Sequence, residues 1–200
     1  MSDRVRVWCL RHGESENVTA GVAGAVPESP LTERGVRQAA EAARGLAKEP
    51  VAHVYSSTAL RARDTARAIA SSRYLDVDAL ADLSEVSIGM EEGTSDPVVR
   101  RRTAEVLRAW IVDRDLRQQV ADGESGLQVV ARMTSAFQRI AATHPGETVI
   151  VVGHVASLSV AVARLCPSGP QIWGAPLPHA KPFLLELDHE TWHCRSWPSR

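Results

Sequence analysis

The sequence predicts an α/β protein: a three-layer sandwich with a mostly parallel central sheet, helices on both faces, and a small helical or loop lid. Three observations predict it. Short β-rich runs alternate along the 200 residues with longer amphipathic stretches, the pattern of βα units. One run, Thr148-Val149-Ile150-Val151-Val152, is apolar without alternation, as a strand covered on both faces requires. Two of these runs stop at Gly-His or His-Gly pairs.

The elements follow in order. Val5–Leu10 is the first strand, ending at Arg11-His12-Gly13. Residues 14–31 hold several Gly with Pro27 and Pro30, and read as a long functional loop. Thr32 caps a helix reaching about Lys48. Val51–Tyr55 is the second strand, and Ser56-Ser57-Thr58 caps a helix to about Ala70. Residues 75–95 read mostly as loop, and 97–120 as charged helix. Ser125 starts a helix through about Thr143, stopped by Pro145-Gly146. The strand Thr148–Val152 ends at Gly153-His154, and a helix follows from about Ala156 to Leu165. Phe183–Leu187 and Thr191–Trp197 flank a polar turn, a C-terminal hairpin. One domain over 1–200 is expected, with about 86–122 as the lid.

Composition narrows the function classes. The chain is 44% hydrophobic and 24% charged, with net charge −1. That balance argues against nucleic acid or an anionic membrane surface as partner. The 23 basic residues include only two lysines, Lys48 and Lys181. Three scattered cysteines (Cys9, Cys166, Cys194) make no disulfide framework and point to a reducing compartment. No apolar run reaches membrane-spanning length, and Met1-Ser2-Asp3-Arg4 leads straight into a strand. A cytoplasmic monomer or homodimer is expected.

Arg11, His12, Arg61 and His154 fall at strand ends or in the first turns after them, where open α/β sheets bind ligands. Arginine offers a planar fork of donors matched to phosphate oxygens. A neutral imidazole is a nucleophile or general base, and nearby guanidinium charges keep it neutral. The constellation therefore suits a phosphate site with an attacking nitrogen inside it.

Six ordered stretches then carry a resemblance. They are Leu10-Arg11-His12-Gly13-Glu14-Ser15, Pro30-Leu31-Thr32-Glu33-Arg34-Gly35 and Tyr55-Ser56-Ser57 with Arg61-Ala62. Leu83-Ser84-Glu85 with Gly89 and Glu92-Gly93, Gly123-Glu124-Ser125, and Val152-Gly153-His154 complete them. Together they resemble the histidine phosphatase superfamily, in its phosphoglycerate-mutase-like branch, over nearly the whole chain. The resemblance implies a metal-independent phosphatase acting on a small phosphomonoester, with no cofactor. It implies that His12 becomes phosphohistidine, that Arg11, Arg61 and His154 clamp the phosphoryl group, and that Glu85 is the proton donor. Ser15, Asn17 and Val155 are the expected substrate contacts. Asn17 lies one residue before the position where the family often carries a phosphate-contacting Asn. Val155 and Glu91 stand where many members have Gly and an aromatic. A phosphoglycerate-type mutase is the alternative, and a non-catalytic phosphate-binding regulator the remoter one; the short stretch between Glu92 and Gly123 favours hydrolysis, because a small lid excludes water less well.

Other patterns compete. His189-Glu190-Thr191-Trp192-His193 is a literal HExxH, yet its flanks read strand–turn–strand, whereas zinc needs both His on one helical face. Ser125 reads as a helix cap, not a nucleophile. Arg100-Arg101-Arg102 cannot all enter one pocket, since successive helix residues diverge by about 100°. A solvated face is the plain expectation; one of them reaching the substrate is the other. Trp8 and Trp110 are expected in packing.

Overall fold

The structure is a computed structural model describing residues 4–166, 172–174 and 176–198. Its strands are β1 (Val5–Arg11), β2 (Val51–Ser56), β3 (Val77–Ala79), β4 (Thr148–Gly153), β5 (Phe183–Asp188) and β6 (Thr191–Cys194). They form one sheet in the order β3-β2-β4-β1-β5-β6. The first four are mutually parallel; β5 and β6 run antiparallel at one edge. The helices are α1 (Glu16–Thr19), α2 (Glu33–Gly45), α3 (Leu60–Ala70), α4 (Pro97–Arg108), α5 (Gly126–Thr143) and α6 (Val155–Leu165).

Two cores make the three layers. Ile150 and Val152 of β4, with Leu10 and Val54, pack against Ala42, Ala43 and Leu46 at α2 and Ala62, Ala66 and Ile69 of α3. The other face presents Val7, Cys9, Val149 and Val151 to Met133, Phe137 and Ile140 of α5 and Leu158 of α6. All six residues of β4 are buried, as the unbroken apolar run required.

The expected sandwich and mostly parallel sheet are thus present, and several local expectations are corrected. Residues 77–79 are not loop: Val77 pairs with Val54 and closes the parallel edge of the sheet. Three residues carry too little pattern to announce a strand, and tertiary pairing creates it. The loop 14–31 contains the one-turn helix α1. The helix expected over 97–120 ends regularly at Arg108, widens into a π-turn over Ala109–Asp113, and stops at left-handed Arg114 (φ 59°). Helix α3 is preceded by Ala59, whose methyl side chain can make no cap; the Ser57 hydroxyl accepts from the Ala59 N–H at 3.3 Å and also meets His154. Thr32 and Ser125 do cap α2 and α5, the latter in a full capping box with Gln128. Trp110 is buried and its indole N–H donates to the Gln118 carbonyl, whereas Trp8 is only half-buried against the α2/α3 layer.

The HExxH stretch is a hairpin turn. His189 and Glu190 take left-handed backbone (φ 45° and 68°), and His189 is fully exposed while His193 lies on β6. Among the described residues no helix is long and apolar enough to cross a membrane.

Candidate active site

The strand order builds the site. Because β4 lies between β1 and β2, the residues leaving these three strands are lateral neighbours. The His12 N–H donates to the Gly153 carbonyl at 3.1 Å, and the Ser57 N–H to the Val152 carbonyl at 3.0 Å. His12, His154 and Ser57 therefore emerge side by side at the carboxyl end of the sheet.

His12 is buried, and its Nδ1–H donates to the Gly13 carbonyl at 2.6 Å. That bond fixes the tautomer and leaves the Nε2 lone pair facing Arg61, whose Nε–H donates to it at 3.1 Å. Arg61 enters from the first turn of α3 and is 1% exposed. Its other nitrogens donate to the carbonyls of Val26 (2.6 Å) and Ala25 (2.7 Å), and Nη2 lies 3.4 Å from His154 Nδ1. With Nδ1 as acceptor, the His154 proton sits on Nε2 and is given to the Ser57 hydroxyl at 2.6 Å. The two imidazoles stand edge to face with centroids 5.1 Å apart. Arg11 donates to the Leu177 carbonyl, while its Nε is buried without a partner among the described residues.

The electrostatics hold both imidazoles neutral. Burial holds His12 well below the usual imidazole range, reinforced by His154, Arg61 and Arg11. Burial also lowers His154, with Arg61 and Arg11 adding to it. Sequence reasoning credited the guanidinium charges; desolvation is the larger cause. Burial brings Arg11 itself down to about 10, with Glu85 opposing the fall.

Glu85 faces the same cleft from the loop after β3. Its carboxylate accepts from the backbone N–H groups of Ala156 (3.1 Å) and Ser157 (2.9 Å) in the first turn of α6, and from its own neighbour Val86. The loop that carries it is clamped by Arg132, which donates to the carbonyls of Asp82 and Ser84 and pairs with both oxygens of Glu124. Glu92 accepts from the N–H groups of Ala25 and Ile88, tying that loop to the segment Arg61 holds.

The remaining expected contacts divide. Asn17 and Val155 line the cleft. Ser15 does not; it is buried beneath, and its hydroxyl donates to Asn17 Oδ1 at 2.8 Å. His154 lies behind His12 and is fully buried. Of the three arginines, Arg100 reaches the cleft rim; Arg102 instead donates to Gln118 and pairs with Glu105.

Sequence reasoning missed His179. Its Nδ1–H donates to the His12 carbonyl at 3.0 Å, and its ring stands 5.5 Å from the His12 ring. Burial, with Arg11 adding to it, brings its pKa down to about 4. A lone His in the segment Leu177-Pro178-His179-Ala180 gives no pattern; only the bridge of His179 to Arg11 brings it to the site.

The family model described as Histidine phosphatase superfamily (branch 1) matches residues 7–200. The adenosylcobalamin/alpha-ribazole phosphatase of Salmonella typhimurium is 32% identical over 162 residues, 80% of this chain and 79% of that one. The metal-independent phosphoserine phosphatase of Arabidopsis thaliana is 32% identical over 199 residues, 98% of this chain and 82% of that one. The crystal structure of phosphoglycerate mutase from Bacillus anthracis superposes with TM-score 0.84 over 98% of this chain and 93% of that one; at 20% identity this shows a shared fold. The chain belongs to the histidine phosphatase superfamily, branch 1, as an enzyme of the hydrolase kind that its named relatives represent.

Proposed function

We propose that the chain hydrolyses a small phosphomonoester in two steps through a phosphohistidine on His12. One observation carries the reading: the His12 tautomer leaves Nε2 unprotonated on the floor of a cleft flanked by Arg11 and Arg61, with the Glu85 carboxyl on its wall. In the first step the substrate's phosphoryl oxygens take the Arg61 Nε–H from His12 Nε2, the freed lone pair attacks phosphorus in line, the P–O bond to the leaving oxygen breaks, and Glu85 gives that oxygen its proton. In the second, water attacks phosphorus, Glu85 takes the water's proton, and the P–N bond breaks to return free His12. Arg11 and Arg61 neutralise the equatorial oxygens, the larger part of phosphoryl-transfer catalysis. His154 holds the inner edge of the site, kept neutral by burial and oriented by Ser57.

Relatives named for alpha-ribazole and phosphoserine phosphatase activity support hydrolysis of small phosphorylated metabolites. The test is rapid-quench mass spectrometry with p-nitrophenyl phosphate. Wild type should show a transient adduct of one phosphoryl group on His12 and release inorganic phosphate. His12→Ala should lose both. Phosphoprotein in His12→Ala, or phosphate migration on 3-phosphoglycerate without release, overturns the proposal.

A further inference from the structure

Beyond the phosphoryl-binding floor the cleft continues, and its chemistry changes. Its volume is about 650 Å³, within the range of sites for drug-sized ligands and far beyond what a phosphate needs. The wall is built by Val18 and Val22 of the long loop, Ile88, Leu107 and Ile111 of the segment above it, and Val155 at the start of α6. Its polar side chains are few among the described residues. Asn17 Oδ1 already accepts from Ser15, and the Thr103 hydroxyl donates to the Val99 carbonyl. Ser159 is the other hydroxyl on this wall. Arg100 stands at the exposed rim.

Such a wall discriminates by desolvation. A polyhydroxylated leaving group would give up water and find hardly any partner for its hydroxyls, at a cost for each one. An apolar ring gives up only unfavourable hydration on the same surface. A small carboxylated leaving group would leave most of the cleft unfilled and would need a cation; outside the phosphate clamp the lining offers, among the described residues, Arg100.

Resting on the phosphomonoesterase reading, we infer that the cleft beyond His12 is a subsite for a bulky apolar leaving group, an aryl or fused-ring alcohol or phenol. The substrate is then the phosphomonoester of such an alcohol. Val155, next to the peptide N–H groups that hold Glu85, brings the subsite against the proton donor, so a filled subsite also orients the leaving oxygen toward it.

The experiment is calorimetric titration of the wild-type protein with three non-hydrolysable probes: methylphosphonate, 1-naphthylmethylphosphonate, and the phosphonate analogue of phosphoserine. The naphthyl probe should bind roughly thirtyfold tighter than methylphosphonate, the ratio expected from burying about 80 Å² of apolar surface at ~25 cal/mol per Å². Val18→Asp, at an exposed position on the rim, and Leu107→Asn on the wall should each cut that ratio several-fold. Equal affinity for the methyl and naphthyl probes overturns the inference. So does tightest binding of the carboxylated probe, abolished by Arg100→Ala. A parallel assay of phosphate release from p-nitrophenyl phosphate scores the catalytic reading separately. Aryl-selective binding without turnover would sink hydrolysis and keep the subsite; turnover without aryl selectivity would do the reverse.

Discussion

Replacing Arg61 by lysine keeps the charge and removes the fork. The guanidinium makes three bonds of 3.1 Å or less, to His12 Nε2 and the carbonyls of Val26 and Ala25, while 1% exposed. One ammonium on a flexible stem cannot reach all three, so on geometry two are lost. Each leaves a buried acceptor open to a group that was charged, at ~1.5 kcal/mol per bond, for a total of about 3 kcal/mol. With a urea m-value of about 2 kcal/mol per M, the unfolding midpoint should fall by roughly 1.5 M. Catalysis should suffer separately, since losing one preorganised donor at a developing charge costs about 10²- to 10³-fold in turnover. The assays are urea unfolding and phosphate release from p-nitrophenyl phosphate, with Arg67→Lys as control. Arg67 is an exposed partner of Asp64 on the same helix, and its change should stay within about 0.5 kcal/mol. A folded Arg61→Lys protein with kcat/KM within threefold of wild type would refute the argument that the fork, and not the charge, is what the site uses.

Three more outcomes are expected. Glu85→Gln should lower kcat by about 10²–10⁴ for an alkyl phosphate but far less for p-nitrophenyl phosphate, whose leaving group departs without a proton; equal losses on both count against Glu85 as the acid. Stability should fall as pH drops below about 6.5, because His12, His154 and His179 have lowered pKa values when folded, so the unfolded chain binds more protons. The two buried imidazoles can each contribute ~1.4 kcal/mol per pH unit, while His179, with a folded pKa of about 4, adds about 1–2 kcal/mol in total once its partial exposure is discounted. Urea midpoints that stay flat from pH 7 to 5 would contradict this, and His179→Asn should shrink the slope. Gly35→Ala should disturb the loop after β1 from outside the cleft: an added Cβ would overlap the Glu14 carbonyl, while a Cβ on Gly13 would in turn meet the Gly35 carbonyl. A cost of about 1–3 kcal/mol with reduced kcat is expected; unchanged unfolding and turnover would mean the loop yields freely.

Much of the chain's identity is carried by local chemistry. The unbroken apolar run of β4, the caps Thr32 and Ser125, and the stops at Arg11-His12 and Gly153-His154 each follow from propensity, burial or turn chemistry within a few residues. Those features sufficed for the layered α/β fold and for picking out the His and Arg residues that meet at the ends of β1, β2 and β4. They did not announce β3, whose three residues become a strand only because Val54 and its neighbours offer an open edge. Nor could they show that Ser57, besides accepting from Ala59 at the start of α3, serves His154.

What tertiary structure alone decided depends on lateral order. Nothing local says that β4 lies between β1 and β2, yet that order places His12, His154 and Ser57 side by side. It also brings His179, from 167 residues away, onto the His12 carbonyl, and aims α6's first N–H groups at Glu85. The same holds for which arginine of three meets the cleft, and for the half-buried fate of Trp8. The sequence by itself determined which groups could do phosphoryl chemistry, because that rests on residue type. Their tautomers, their neutrality and the apolar wall beyond them rest on which buried atoms become neighbours, and only the folded chain settles that.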